Sequence, residues 1–235
     1  LEFDIRNHFK MGPIKYHNVI GIIPGTDFPE EYVIMGAHLD AFDVATGGVD
    51  DGSGVTPTME AARLIMEAGG KPKRTILVVL WAGEEFGLLG SKSWVTRFET
   101  DLKNVSNMIN RDGGPTVPKA ISVSEAMWND FIPIADAINM INPKFPLEMK
   151  KWNPREKPKK PWGTDSGPFA VVGVPVIGFE NGDPMGYDFN YREIWHTERD
   201  LYNMSIPEYQ EHAAIATAIL AYGIADLDHL LDREG

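Results

Sequence analysis

Eight acids and two histidines stand in five short polar runs. They lie in Gly36-Ala37-His38-Leu39-Asp40, Asp50-Asp51-Gly52-Ser53-Gly54, Gly83-Glu84-Glu85, Arg111-Asp112-Gly113-Gly114 and Trp195-His196-Thr197-Glu198-Arg199-Asp200. Imidazole with carboxylate and no thiolate suits zinc and its neighbours, whereas magnesium and calcium take all-oxygen sites. Two histidines and three or four acids exceed what one tetrahedral ion uses. They match two ions about 3.5–4 Å apart sharing a carboxylate, a pair that acidifies a water and polarises a carbonyl oxygen. Without a cation, so many acids in one pocket would repel and some would take up protons. Taken singly, each run has a plainer use. Asp50-Asp51 could form a turn and helix N-cap, Asp112 a turn acid, and His38 or His196 a structural or surface histidine.

Positioning such groups together requires a scaffold that aligns the ends of its strands. Apolar runs at Leu1–Phe9, His17–Ile23, Tyr32–Ala37, Thr75–Ala82, Val105–Asn110 and Pro175–Phe179 read as strands. Helical patterns cover Val55–Ala68, Gly87–Phe98, Trp128–Ile141 and about Pro207–Leu231. The last is preceded by a capping box, Ser205-Ile206-Pro207-Glu208, with Pro at the first helical position. Alternating strands and helices predict an α/β three-layer sandwich around a mostly parallel central sheet, mixed at its start. In such a sheet, ligands sit at the carboxyl ends of the strands. The polar runs above stand at those ends.

The 235 residues carry 22 Lys and Arg against 34 Asp and Glu, a formal charge of −12. That balance excludes a phosphate-backbone binder, which needs a basic footprint. The longest apolar stretch, Thr75–Ala82, is far short of the ~20 residues of a membrane-spanning helix. Without cysteine there is no disulfide scaffold, no Cys nucleophile and no thiolate metal site. One segment departs in composition: residues 150–160 hold six basic residues and one acid, suited either to reading a substrate carboxylate or to a solvated loop. The alternation at the first residues, with no initiator Met or signal-like apolar region, suggests a chain whose N-terminal part is missing.

The runs around His38, Asp50, Glu84 and His196, with Asn107–Gly114, resemble the co-catalytic zinc exopeptidases that include bacterial leucyl aminopeptidases and plasma glutamate carboxypeptidase. The resemblance extends from Asn18-Val19-Ile20-Gly21 to the last helix. It implies two Zn²⁺ per chain, His38 and Asp112 holding one, Glu85 and His196 the other, with Asp50 between them. Glu84 becomes the general base and Asp40 the acceptor of the His38 ring N–H. It further implies a cis peptide after Asp50, and a substrate contact at Asp165 in Gly163-Thr164-Asp165-Ser166-Gly167. Some aminopeptidases of the family carry a Tyr oxyanion donor just before that loop. Pro161-Trp162-Gly163 stands there instead, so Tyr187 and Tyr191 are the candidates. Residues 1–235 then form the catalytic domain of an exported enzyme, downstream of an inserted protease-associated domain. The substrate is a peptide or dipeptide. Aminopeptidase action comes first among the alternatives, followed by a dipeptidase or carboxypeptidase of the plasma glutamate carboxypeptidase type. A one-zinc glutaminyl-cyclase-like transferase is disfavoured by the Asp50-Asp51 pair, and an inactive transferrin-receptor-like binding domain by the intact set of donors.

Overall fold

The computed structural model describes residues 2–6, 8, 12–152 and 156–233. Its regular elements run β1 (Val19–Ile23), β2 (Phe28–His38), α1 (Gly52–Glu67), β3 (Arg74–Trp81), α2 (Leu89–Arg97), β4 (Val105–Asn110), β5 (Val117–Val123), α3 (Trp128–Asn139), β6 (Glu148–Lys151), α4 (Ser166–Val171), β7 (Phe179–Gly182) and α5 (Pro207–Ala225). One sheet has the order β1-β3-β2-β4 and a second the order β6-β5-β7. In the first sheet β1 is antiparallel to β3, while β2 is parallel to both β3 and β4. This is the expected α/β architecture with its mixed start.

Period-two alternation divides the buried strands between two apolar layers. Val33, Met35, Ile76 and Val78 face Ala61 and Ile65 of α1, Phe131 and Ile138 of α3, and Leu220 and Ile224 of α5. Ile34, Leu77, Val79 and Trp81 face the other way, toward Phe169 of α4 and Trp94 of α2. Helices therefore cover both faces, which is why β3 is buried at every position.

The structure departs from the expected elements at four places. In the span expected as the strand Leu1–Phe9, the described residues 2–6 and 8 have no regular structure and Phe3 and Ile5 are exposed, while Leu1, Asn7 and Phe9 lie outside the described residues. Alternation prepares a face, but a strand exists only with a ladder partner. Pro175–Phe179 is displaced. Residues 175–178 run beside β4, with the Met108 N–H donating to the Pro175 carbonyl (2.9 Å) and the Asn107 side chain bonding both polar main-chain groups of Ile177, and the strand proper is β7. The capping box does not form. Ile206 is the N-cap, and the Glu208 carboxylate instead accepts the Tyr187 hydroxyl. Finally, α5 ends at Ala225 rather than near Leu231. The residues beyond it are tied to the sheet: Arg74 donates to the Leu227 carbonyl, Lys73 pairs with Asp228 (2.7 Å), and the Leu231 N–H donates to Ser106 (3.1 Å).

Candidate metal centre

Register brings the site together. His38 is level with Trp81, and Gly36 with Asn110, so β2, β3 and β4 end on one edge. The Leu39 N–H donates to the Trp81 carbonyl (2.7 Å) and the Arg111 N–H to the Gly36 carbonyl (2.8 Å), carrying that alignment one residue further. Residues 38–40, 84–85 and 111–112 therefore emerge side by side. The turn entering α1 adds Asp50, and the loop before α5 adds His196. The Asp50–Asp51 peptide is cis, as the resemblance implied.

Two groups of three donors result, His38 with Asp50 and Asp112, and Asp50 with Glu85 and His196; within each, the donor atoms lie within 4.8 Å of one another. Asp50 belongs to both. Its Oδ1 lies 3.0 Å from Nε2 of His38 and its Oδ2 3.7 Å from Nε2 of His196. The second partners are Asp112, 3.9 Å from His38 Nε2, and Glu85, 2.9 Å from His196 Nε2. Glu85 Oε1 is buried with no hydrogen-bond partner among the described residues. These donors fit a pair of divalent cations: every group is an imidazole or carboxylate, and one buried carboxylate oxygen has nothing else to bind.

The electrostatics point the same way. Burial pushes the Glu84 carboxyl up to about 8, with the charges of Asp112, Asp165 and Glu85 adding and His38 opposing. Burial also raises Glu85, where Asp50 adds repulsion, and Asp112. Burial of His38 disfavours its charge, yet Asp50, Asp51 and Asp112 outweigh it and raise the imidazole to about 11. A bound cation would relieve this concentration of negative charge.

Asp40 takes a different position from the expected one. His38 Nδ1 lies 2.8 Å from the Asp40 main-chain carbonyl and 4.0 Å from its carboxylate. A carbonyl only accepts, so Nδ1 keeps its proton, and Nε2 is the nitrogen that would give up its own to bind a cation. The Asp40 carboxylate instead accepts the main-chain N–H groups of Glu84 (3.0 Å) and Glu85 (3.1 Å), fixing the turn that carries both acids. Tyr191 is brought to the site, where burial and the nearby charges of Asp50, Asp112 and Asp51 hold its phenol protonated. Gly114, at φ 83, leaves room for the Tyr191 ring, which a Cβ would meet at 3.1 Å. Tyr187 is not brought in: it bonds Glu208 and packs against Tyr209. Asp165 is fully buried, and burial pushes it to about 7, so its carboxylate is closed to direct substrate contact. In the basic segment Lys150 is held by Glu180 (2.7 Å) and Lys151 by Glu125 (2.6 Å), while residues 153–155 lie outside the described residues.

Three supporting residues were not singled out for these roles from sequence. Asp51, buried, accepts the His38 N–H (3.0 Å). Thr164 donates to Asp112 Oδ2 and accepts from Asn110 (2.6 Å), leaving Asp112 Oδ1 toward His38. Asp200 accepts the N–H groups of Val49 (2.6 Å) and Asp50 (3.2 Å). Asp200 stands in the His196-Thr-x-x-Asp run, but its partners lie some 150 residues earlier, and no local signal reveals them. Close packing here leaves Gly54 no room for a side chain, since a Cβ would fall against the Arg111 carbonyl and the Asp51 carboxylate. Gly54→Ala is expected to cost about 1–3 kcal/mol or more, visible as a lowered urea midpoint.

A family model for peptidase family M28 matches residues 18–221. The chain belongs to peptidase family M28. The M28 chain is 28% identical over 236 residues to carboxypeptidase Q of Rattus norvegicus, an alignment covering 96% of this chain and 46% of that protein. It spans about half the length of the curated relatives it matches. Its structure superposes on the peptidase M28 precursor from Shewanella amazonensis with a TM-score of 0.75 at 29% identity, covering 92% of this chain and 46% of that one. A zinc aminopeptidase from Bacillus subtilis shares the fold at TM-score 0.68 and 22% identity, over 92% of this chain and 52% of that one. No helix of the M28 chain, among its described residues, is long and apolar enough to cross a membrane.

Proposed function

We propose that residues 1–235 act as the catalytic domain of a zinc-dependent exopeptidase that hydrolyses a terminal peptide bond, with aminopeptidase action favoured over dipeptidase or carboxypeptidase action. The observation that carries this is Asp50, whose two oxygens face two different histidines, each with a further carboxylate, beside Glu84. His38 and Asp112 would hold one zinc, Glu85 and His196 the second, and Asp50 both. When bound, zinc supplies Lewis acidity, polarising the scissile carbonyl and acidifying a water. Glu84 takes the proton of that water as its oxygen attacks the carbonyl carbon. It then delivers the proton to the amine nitrogen as the C–N bond breaks. Tyr191, held protonated beside Asp50, is the hydrogen-bond donor suited to the developing oxyanion. Membership of peptidase family M28 and the similarity to carboxypeptidase Q support the exopeptidase part of the reading.

The deciding experiment is metal analysis with hydrolysis of aminoacyl-p-nitroanilides and dipeptides. Two zincs per chain and release of the N-terminal residue are expected. One ion with cyclisation of N-terminal glutamine, or no ion, would overturn the proposal. Because the donors converge only in the folded chain, zinc should also stabilise it, by about 2.7 kcal/mol at a concentration 100 times Kd. Urea unfolding with and without a chelator measures that difference.

A further inference from the structure

The two histidines are held in different ways. His38 is buried, and its Nδ1 is anchored on the Asp40 carbonyl at 2.8 Å. His196 is partly exposed and sits in a left-handed backbone conformation, φ 58, that a non-glycine residue adopts only at a cost. Its Nε2 faces Glu85 and Asp50, but among the described residues no hydrogen bond reaches its Nδ1. A histidine that binds metal is ordinarily oriented through that second nitrogen, by a carboxylate, a carbonyl or water. Here aromatic rings stand against it instead. The Phe42 ring stacks on the His196 imidazole at 4.3 Å with only 8° between the planes, and the Trp195 indole lies at 4.1 Å and 31°. Trp195 is in turn stacked with Tyr191 at 6.4 Å. Phe42 and Trp195 are 42% and 49% exposed, so neither is there to fill the apolar core.

We propose that Phe42 and Trp195 are positioning residues that fix the plane of the His196 imidazole, so that the cation held by Glu85 and His196 depends on them and the cation held by His38 and Asp112 does not. The inference rests on the two-zinc reading of the site. Stacking restricts the tilt of the ring, as a hydrogen bond at Nδ1 would. It does so without drawing on the proton count of the site, since neither ring titrates. The Glu85–His196 side is thereby the more weakly organised of the two, and loading of the chain by zinc should occur in two distinguishable steps, with the aromatic pair acting on the second.

Titration of the chelator-stripped chain with Zn²⁺, monitored by calorimetry, tests this. Phe42→Ala and Trp195→Ala are each expected to leave the first step unchanged and to weaken the second about 10- to 100-fold, the range for residues that orient a metal ligand. Phe42→Tyr and Trp195→Phe, which keep a ring face, should restore most of the loss. The unchanged first step serves as the internal measure of folding. Both steps unaltered, both weakened alike, a change in KM without a change in zinc uptake, or no rescue by the ring-bearing variants would overturn the proposal. A wild-type chain that takes up fewer than two ions would overturn the two-zinc reading itself.

Discussion

Glu84→Gln is expected to lower kcat by roughly 10²–10⁴-fold, the contribution of a positioned general base, while leaving zinc uptake intact. The amide cannot accept the water proton, yet it has nearly the shape of the carboxylate. Glu84 lies outside both donor groups, and the Asp40 carboxylate grips its main-chain N–H rather than its side chain. The turn should therefore survive the substitution. Glu85→Gln is the contrasting variant: it removes a donor and should reduce zinc content as well as turnover. The two are separated by measuring metal stoichiometry and kcat on the same preparations. Unchanged kcat in Glu84→Gln would remove Glu84 from the chemistry.

The second large effect is expected at a residue outside both donor groups. Asp200 is buried, and its carboxylate accepts the main-chain N–H groups of Val49 and Asp50. Its main-chain carbonyl receives the Thr46 N–H (3.3 Å), and Gly48 packs against the main chain of Leu201 and Tyr202 so closely that a Cβ would not fit. The loop carrying His196 and the turn carrying Asp50 are thus clasped together by the Asp200 side chain and by the main-chain contacts on either side of it. Asp200→Ala leaves two buried donors without a partner, at about 1–3 kcal/mol each, and frees Asp50 to move relative to His196. Loss of stability and a zinc affinity lower by about 10- to 100-fold should occur together, read by urea unfolding and by titration. Asp200→Asn keeps one acceptor oxygen and should fall between. Wild-type zinc affinity in Asp200→Ala would show that the clasp does not set the geometry of the site.

Much of this site could be read in the chain because parallel strands leave two signals at once. A buried strand is a run of apolar residues, and the residues just past its carboxyl end are polar and functional. Tyr32–Ala37, Thr75–Ala82 and Val105–Asn110 gave both, and the structure differs from those bounds by only a few residues at β2 and β3 and not at all at β4. The second sheet left neither signal. In β5 the run Val117-Pro118-Lys119 breaks the alternation, and β6 is Glu-Met-Lys-Lys, a polar edge strand. Such strands are defined by their neighbours rather than by their own residues. The same limit accounts for Ser205: its capping geometry was available locally, but Tyr187 claims Glu208 from another part of the chain.

Residue order alone determined that histidines and acids stand at successive strand ends, and therefore that the chemistry is of the imidazole–carboxylate kind. Spacing could not determine how those groups are held. That the Asp40 carbonyl, rather than its carboxylate, sets the His38 tautomer, that Asp200 grips the main chain at Asp50, that Tyr191 and not Tyr187 reaches the site, and that rings rather than a hydrogen bond flank His196 were decided only by tertiary structure. The physical reason is common to all four. Ligand identity is a property of a side chain, whereas its orientation depends on partners that are often distant in sequence and on a few ångströms of backbone placement, which only the packed fold supplies.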